Sequence, residues 1–519
     1  MASTFFGLTI AYSGLQAANT SLTITGHNVS NINTKGYTKQ QAGTQAADAL
    51  RTHTTYGAIG SGVVVTEISQ IRDSYYDVKY RNNMANYGQY SVKESYMGQI
   101  EDYLDEFTLN GYSQEYKNFF SAVNQLTITP GDTSAKNQLI NNAKSLADYF
   151  NTLTTNLRNV QADANNEIKD AVQQINSYAK NIAALNRQIN QIEANYGNAN
   201  DLRDKRNAMI DELSEIVNLE TSEEDMGNNV SNFSVRINGQ TLVSSYSYNT
   251  LETVARTDKK NYSDAEGLYD VQWNSGQKFD MYSTSLSGHL KGLIDIRDGN
   301  NGEHENIETD DDGNNVTDSD GNLVLTTAPA ADKTVSYKGV PYYQAQLNEF
   351  AKIFSDAVNK IMKSGYTSDG SSKGISLFVT QPNTTVMSAG NITVNPELLK
   401  NADLLAIKKE QNGGESDAKI MEELNKLQSE KIFAGGTGSY FLESIVSDMS
   451  IDSQKAVNLY KNYTDLKTSI HNQRLSIMGV DTDEEAMDMI KYQQAYNLNS
   501  KMMSVMNQIY DKLINQTGI

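Results

Sequence analysis

The chain has 519 residues with no cysteine, 43 Lys and Arg against 63 Asp and Glu, and a formal net charge of -20. The lack of thiols excludes a disulfide framework and any thiolate metal site, and the acidic balance speaks against nucleic acid or an anionic membrane as main partner. No run of about eighteen apolar residues occurs, so no bilayer-spanning segment or membrane insertion is expected. The first Lys is Lys35, which leaves no positive region for a cleaved signal peptide.

From Met1 to Thr34 there is no Asp, Glu, Lys or Arg. Leu8, Ala11, Leu15, Ala18, Leu22, Thr25, Val29 and Ile32 recur there at steps of three and four, a heptad stripe in which large and small positions alternate. Its flanks are Ser, Thr, Asn and Gln, which suits a helix packed closely on a partner segment or subunit. Asn28 to Tyr37, with Asn31, Asn33 and Gly36, reads as a turn, because Asn side chains bond their own backbone and Gly accepts positive φ. Gly57, Gly60 and Gly62 mark a second turn, and Val63, Val65, Ile68 and Ile71 follow as short extended pieces.

A long helical region begins near Ser74, with Tyr76, Tyr80, Met84 and Tyr87 close to helical spacing, and Thr129-Pro130-Gly131-Asp132 turns between helices. Leu146, Phe150, Leu153, Leu157, Val160, Ala164, Ile168, Ala171, Ile175, Tyr178, Ile182, Leu185, Ile189 and Ile192 then hold the helical step over 47 residues. That predicts a rod of roughly 70 Å at 1.5 Å per residue, of coiled-coil or bundle type, ended at Gly197. Asp201 to Leu219 is a second amphipathic helix. The alternating charges of Asp201, Arg203, Asp204, Lys205 and Arg206 at its start predict surface salt bridges.

Beyond it the period changes. Phe233, Val235 and Ile237 alternate, Asn238-Gly239 signals a type I′ hairpin, and Leu242 resumes strand. Further strands are expected around Tyr269 to Trp273, Leu323 to Leu325 and Val335 to Tyr337, so 220–340 reads as a mostly β domain interrupting helical material. Asp298 to Asp332 holds no Lys or Arg and includes Asp310, Asp311, Asp312, Asp318 and Asp320. The complete calcium-loop pattern is absent, which favours a solvated loop over a metal site. Helix returns from Tyr342 to Lys363, with Leu347, Phe350, Phe354, Val358 and Ile361 on one side, and Gly365 to Asn395 mixes turns and short strands. After Gly435-Gly436 the sequence is helical to its end, with Met487, Ile490, Leu498, Met502, Val505, Ile509 and Leu513 near one face. The stripes at the two chain ends are expected to cover one another, with Ser3–Thr25 beside Asp483–Leu513, so that the chain runs outward and back.

Chemistry is sparse. The five histidines, His27, His53, His289, His304 and His471, make no metal-ligand spacing; His27 reads as structural and His289 as a surface turn residue. No nucleophile elbow, phosphate loop or dinucleotide fingerprint occurs. No enzyme activity, cofactor or metal is expected, and 30 tyrosines, many at helical positions, favour protein interfaces.

The segment Gly26-His27-Asn28-Val29-Ser30-Asn31-Ile32-Asn33-Thr34-Lys35-Gly36-Tyr37-Thr38-Lys39-Gln40 resembles the amino-terminal signature of flagellar rod, hook and hook-associated proteins. Gly479 to Ala486 with Tyr492-Gln493-Gln494-Ala495-Tyr496 resembles the matching carboxy-terminal signature. Asn200 to Arg206, Ser287 to Asp298 and Phe119-Phe120 are similar to the hook-associated protein 1 branch. Lys39 stands where that family usually has Arg.

The resemblance implies a mainly α fold with an inserted β domain. A terminal helical inner-tube domain (1–70 with 440–519), a long-helix rod domain (71–219 with 341–439) and a β-rich outer domain (220–340) would make it up. It further implies a secreted, extracellular subunit of the hook-filament junction, exported through the flagellar secretion apparatus with an export chaperone. It would assemble in a ring with copies of itself, with hook protein and with the second junction protein, hook-associated protein 3. The implied assembly interface comprises Leu8, Leu15, Leu22, Val29, Asn31, Asn33, Gly36, Tyr37, Tyr492, Gln493, Leu498, Met502, Val505 and Ile509. The alternatives are a hook or distal rod subunit, or a secreted coiled-coil adhesin.

Overall fold

The computed structural model describes residues 6–51, 58–104, 111–299, 304–310, 314–318, 321–328, 338–382, 384–414 and 416–516. Its first part runs α1 (Phe6–Ser30), β1 (Gln40–Ala46), β2 (Leu50–Arg51), β3 (Ala58–Ile59), β4 (Val63–Gln70), α2 (Ser74–Leu104), α3 (Tyr112–Ile128), α4 (Thr133–Glu193) and α5 (Asn200–Ile216). The middle adds β5 (Glu220–Asp225), β6 (Ser231–Ile237), β7 (Gln240–Ser244), β8 (Ser247–Tyr248), β9 (Leu251–Ala255), β10 (Tyr269–Trp273), α6 (His289–Asp298), β11 (His304–Ile307) and β12 (Leu325–Ala328). Then follow α7 (Gly339–Ser364), β13 (Tyr366–Thr367), β14 (Phe378–Thr380), β15 (Ile392–Val394), α8 (Pro396–Lys400), β16 (Ala406–Lys408), α9 (Lys419–Leu427), α10 (Gly438–Met478) and α11 (Thr482–Asn515).

The mainly helical fold with β material inserted in the middle follows from the periodicities. Helix α4 is 61 residues long, and from Leu146 to Ile189 its stripe is buried apart from Tyr178 and Leu185, which are half-exposed. It ends where Tyr196 turns to φ 59° and the Gly197 amide donates to the Ile192 carbonyl at 3.1 Å. A Cβ on Gly197 would sit 2.8 Å from Ile192 Cγ2, which reserves the position for glycine. The Asn238-Gly239 turn has φ of 49° and 75°, the left-handed pair that a type I′ hairpin needs, and joins β6 to β7.

The chain forms two compact units, one of 1–86, 175–250 and 463–519, the other of 87–174 and 251–462. In the first, α1 packs along α11, the antiparallel β1–β4 ribbon lies on α1, and β5-β6-β7-β8 form an antiparallel sheet. The second is centred on an aromatic core in which Tyr116, Phe119, Phe120, Phe150, Phe350, Phe354 and Phe378 are buried, with Phe350 stacked on Phe433 at 5.0 Å. Rings at such spacings contribute offset and edge contacts beyond the area they bury.

Several expectations need correction. The carboxy-terminal helical region is broken at 479–481 into α10 and α11, because Asp481 caps α11: its side chain accepts from the amides of Asp483 at 2.9 Å and Glu484 at 3.1 Å. His289 is the first residue of α6, where Gly288 at φ 109° starts the helix, and is no turn residue. The charges at the start of α5 are not all at the surface: Asp204 and Arg206 are buried. Val335 to Tyr337, Ser3, Asp311, Asp312 and Asp320 lie outside the described residues.

Candidate assembly interface

Helices α1 and α11 pair antiparallel in a fixed register. The Asn28 amide donates to Glu485 Oε1 at 3.1 Å. Two heptads back, a Cβ on Gly14 would lie 2.7 Å from Asn499 Oδ1, and three heptads back one on Gly7 would lie 2.8 Å from Met506 Cε. Gly7, Gly14, Ser21 and Asn28 repeat every seven residues on α1, opposite Met506, Asn499, Tyr492 and Glu485 on α11. Small residues at these positions let the two backbones approach closely, as a coiled-coil seam with no room for leucine. Ala11, Ala18 and Thr25, the small half of the expected stripe, are buried; Leu8, Leu15, Leu22 and Val29 are half-buried on its flank.

The two terminal stripes therefore do not cover one another as expected. Leu498, Met502, Val505 and Ile509 are exposed, Leu498 by 69%. Rotating 100° per residue puts them about a quarter-turn from the Glu485–Tyr492–Asn499–Met506 line. The seam is decided by which α1 residues are small enough for close approach, not by which α11 residues are most apolar. Tyr492 is half-buried and faces α1, whereas Gln493 is exposed.

At the base of the pair, three distant stretches of chain meet in a buried polar node. Asn28 uses its whole hydrogen-bonding capacity: its amide donates to the Gln40 carbonyl at 3.0 Å and to Glu485, and its oxygen accepts from the Gln40 amide at 3.0 Å and the Tyr37 hydroxyl at 2.8 Å. With the Tyr37 proton committed to Asn28, His27 Nδ1 is the donor to the Tyr37 oxygen at 2.9 Å. Burial, with Asp201, Asp204 and Glu485 nearby, pushes the Tyr37 pKa up and keeps its hydroxyl a donor. Gly36 holds φ 81°, and Asn31 bonds back to the His27 carbonyl at 3.0 Å while Asn33 is exposed in the turn.

Charges complete the node. Burial would lower the Lys39 pKa, but hydrogen bonds to Glu484 at 2.7 Å and its ion pair with Glu485 at 3.2 Å win and raise it. Asp204 accepts from the Thr38 amide at 2.9 Å and hydroxyl at 2.7 Å; burial raises its pKa despite these bonds and Arg72. From Arg72 a chain of ion pairs runs through Asp77, Arg474 and Asp211 to Arg81, at 2.6, 2.9, 2.6 and 2.8 Å. A buried pair of this kind costs desolvation, and its gain is geometric specificity: it fixes one arrangement of the segments that meet.

A groove of about 1000 Å³ opens beside the node, lined in part by Ile32, Lys35, Ala208, Arg474 and Leu475. Two of its cations are tied in structural pairs, Lys35 to Glu212 at 2.7 Å and Arg474 to Asp211. Among the described residues, no cluster of His, Asp and Glu could hold a metal ion. Neither is any helix there long and apolar enough to cross a membrane. Sequence reasoning missed Gly7, Gly14, Ser21, Glu485, Asn499 and Met506. The seven-residue recurrence of small residues was the available signal, overshadowed by the larger leucines beside it.

Comparisons with known proteins agree with one another. The family model described as the flagellar hook-associated protein FlgK helical domain matches residues 97–378, and that of the flagellar basal body rod FlgEFG protein C-terminal region matches 471–516. The flagellar hook-associated protein 1 of Bacillus subtilis is 27% identical over 100% of this chain and 99% of its own length. That of Salmonella typhimurium is 28% identical over 97% and 98%. In fold, the chain is similar to the flagellar hook junction protein FlgK from Burkholderia pseudomallei, with TM-score 0.60 and 14% identity over 77% of this chain and 100% of that one.

Proposed function

Since this chain belongs to the flagellar hook-associated protein FlgK family, we propose that the exposed apolar flank of α11 is where it joins neighbouring subunits of the flagellum. The chain is a structural axial protein of the hook-filament junction, extracellular on the flagellum, and no enzyme. Its contacts are those of such a protein, with hook subunits and other axial subunits.

Copies of the chain form a ring between hook protein on one side and the second junction protein, hook-associated protein 3, on the other. Export proceeds through the flagellar secretion apparatus with a chaperone. Residues 1–70 with 440–519 form the inner-tube layer, 71–219 with 341–439 the rod layer around it, and 220–340 the outer domain. Leu8, Leu15, Leu22 and Val29 extend the contact on α1, and the turn from Asn31 to Tyr37 sets its angle.

The observation that carries this reading is Met487, Leu498, Met502, Val505 and Ile509 lying exposed along one flank of a helix already locked to α1 on another. An apolar flank this long on a single chain marks a protein contact. Burying each such side chain contributes about 1.5–3 kcal/mol, and a carboxylate placed there adds an unpaired charge. Cells making only the Leu498→Asp, Met502→Asp double variant are expected to build hooks without filaments and to release flagellin. Circular dichroism of the purified variant should match the parent. Normal filaments on those cells would refute the interface.

A further inference from the structure

Methionine is distributed unevenly over this chain. Five of its 16 methionines fall within α11, at Met487, Met489, Met502, Met503 and Met506. Elsewhere Met84, Met97, Met281, Met362, Met387, Met421, Met449 and Met478 are all buried. On α11, Met487 is 66% exposed and Met502 41%, and both sit on the flank with Leu498, Val505 and Ile509. Met489 is 39% exposed but, at 100° per residue, lies on the opposite flank with Gln493, Asn497 and Ser500. Met506 faces Gly7 in the seam.

We propose that Met487 and Met502 are a peroxide-sensitive modification site that blocks assembly of the free subunit. The inference rests on α11 being the assembly surface. In the reaction the thioether sulfur attacks one oxygen of hydrogen peroxide. The S–O bond forms as the O–O bond breaks, sulfur loses two electrons, and the departing oxygen leaves as water after proton transfer. The product is a sulfoxide whose polar S–O group projects from the apolar flank. Thioether exposure governs which methionines react, and a polar, chiral sulfoxide disrupts a methionine-containing interface. Burying the sulfoxide against a neighbour without a donor costs the desolvation of a strong acceptor. Oxidation before assembly therefore excludes the subunit. After assembly the same residues are covered and protected, so the site senses oxidant only while the subunit is free. Methionine sulfoxide reductase activity reverses the block.

The test treats the purified full-length chain with limiting hydrogen peroxide and maps sulfoxides by peptide mass spectrometry. Met487, Met489, Met502 and the 66%-exposed Met226 of the β5–β6 turn should oxidise at least about tenfold faster than Met84, Met97, Met362 and Met421. Oxidised protein is then added to cells that lack this subunit, and filament regrowth is counted. Expected is a loss of most filaments, restored by reductase treatment. Measured against its own untreated level, the Met487→Leu, Met502→Leu variant should lose few filaments at the same dose, since leucine has no thioether to oxidise. Met489→Leu and Met226→Leu should give no protection. Two results would overturn the proposal: slow oxidation at Met487 and Met502, or full incorporation of the oxidised parent. If oxidised parent incorporates while Leu498→Asp does not, the modification site fails and the interface stands. If Leu498→Asp also incorporates normally, the interface itself fails.

Discussion

Replacing Asn28 by aspartate changes almost no volume and reverses one hydrogen-bonding group, which makes it a direct probe of the node. The acceptor side survives, so the Gln40 amide and Tyr37 hydroxyl keep their partner. The donor side becomes an oxygen facing the Gln40 carbonyl at 3.0 Å and Glu485 Oε1 at 3.1 Å. Two carboxylates at that distance repel by about 5 kcal/mol at an effective dielectric of about 20. Protonating the new carboxyl at pH 7 against an ordinary pKa of about 3.9 costs only about 4 kcal/mol, so proton uptake is the cheaper response. Loss of one amide donor adds about 1 kcal/mol. The sign follows from the raised pKa: the folded variant binds more protons than the unfolded chain, so its stability recovers as pH falls from 7 towards 4. Hydrogen exchange of the α1 and α11 amides, compared with the parent at each pH, is the assay. Beyond the lost hydrogen bond, protection should fall about a thousandfold at pH 7 and about tenfold at pH 5, at 1.36 kcal/mol per pH unit. Asn28→Leu, which has no proton to take up, should show equal loss at both pH values. An equal loss for Asn28→Asp at both would refute the assignment of Glu485 as its neighbour.

Gly14→Val should loosen the helix pair by about 1–3 kcal/mol through overpacking against Asn499, and Asn499→Ala should recover part of that loss, as read by a double-mutant cycle on amide exchange. Asp298 is buried between Arg297 at 2.7 Å and Arg256 at 2.8 Å. Burial alone would raise its pKa, but the two guanidinium groups outweigh it and hold the carboxyl well below the usual range. Its stabilisation is therefore present above about pH 4 and is lost as pH falls further. Asp298→Asn should cost about 3–5 kcal/mol at pH 7 and flatten the acid side of the melting-temperature profile.

Local chemistry made much of this molecule legible. The 47-residue stripe that became α4, the Asn238-Gly239 hairpin, the Thr129–Asp132 turn and the helices at both ends follow from side-chain period and turn preference, which act within a few residues. The signature around Asn28 to Gln40 and Asp481 to Tyr496 was visible too, because its residues are adjacent in the chain. What the sequence could not decide was which faces meet. An apolar residue states only that burial is favourable, whereas close approach of α1 to α11 depends on Gly7 and Gly14 lacking a side chain opposite Met506 and Asn499. That contest left Leu498 and its neighbours outside the pair. The same holds for Asp204 and Arg206. Helical spacing read them as surface charges, and only the arrival of Thr38, Arg72 and Glu223 from distant parts of the chain makes burying them possible.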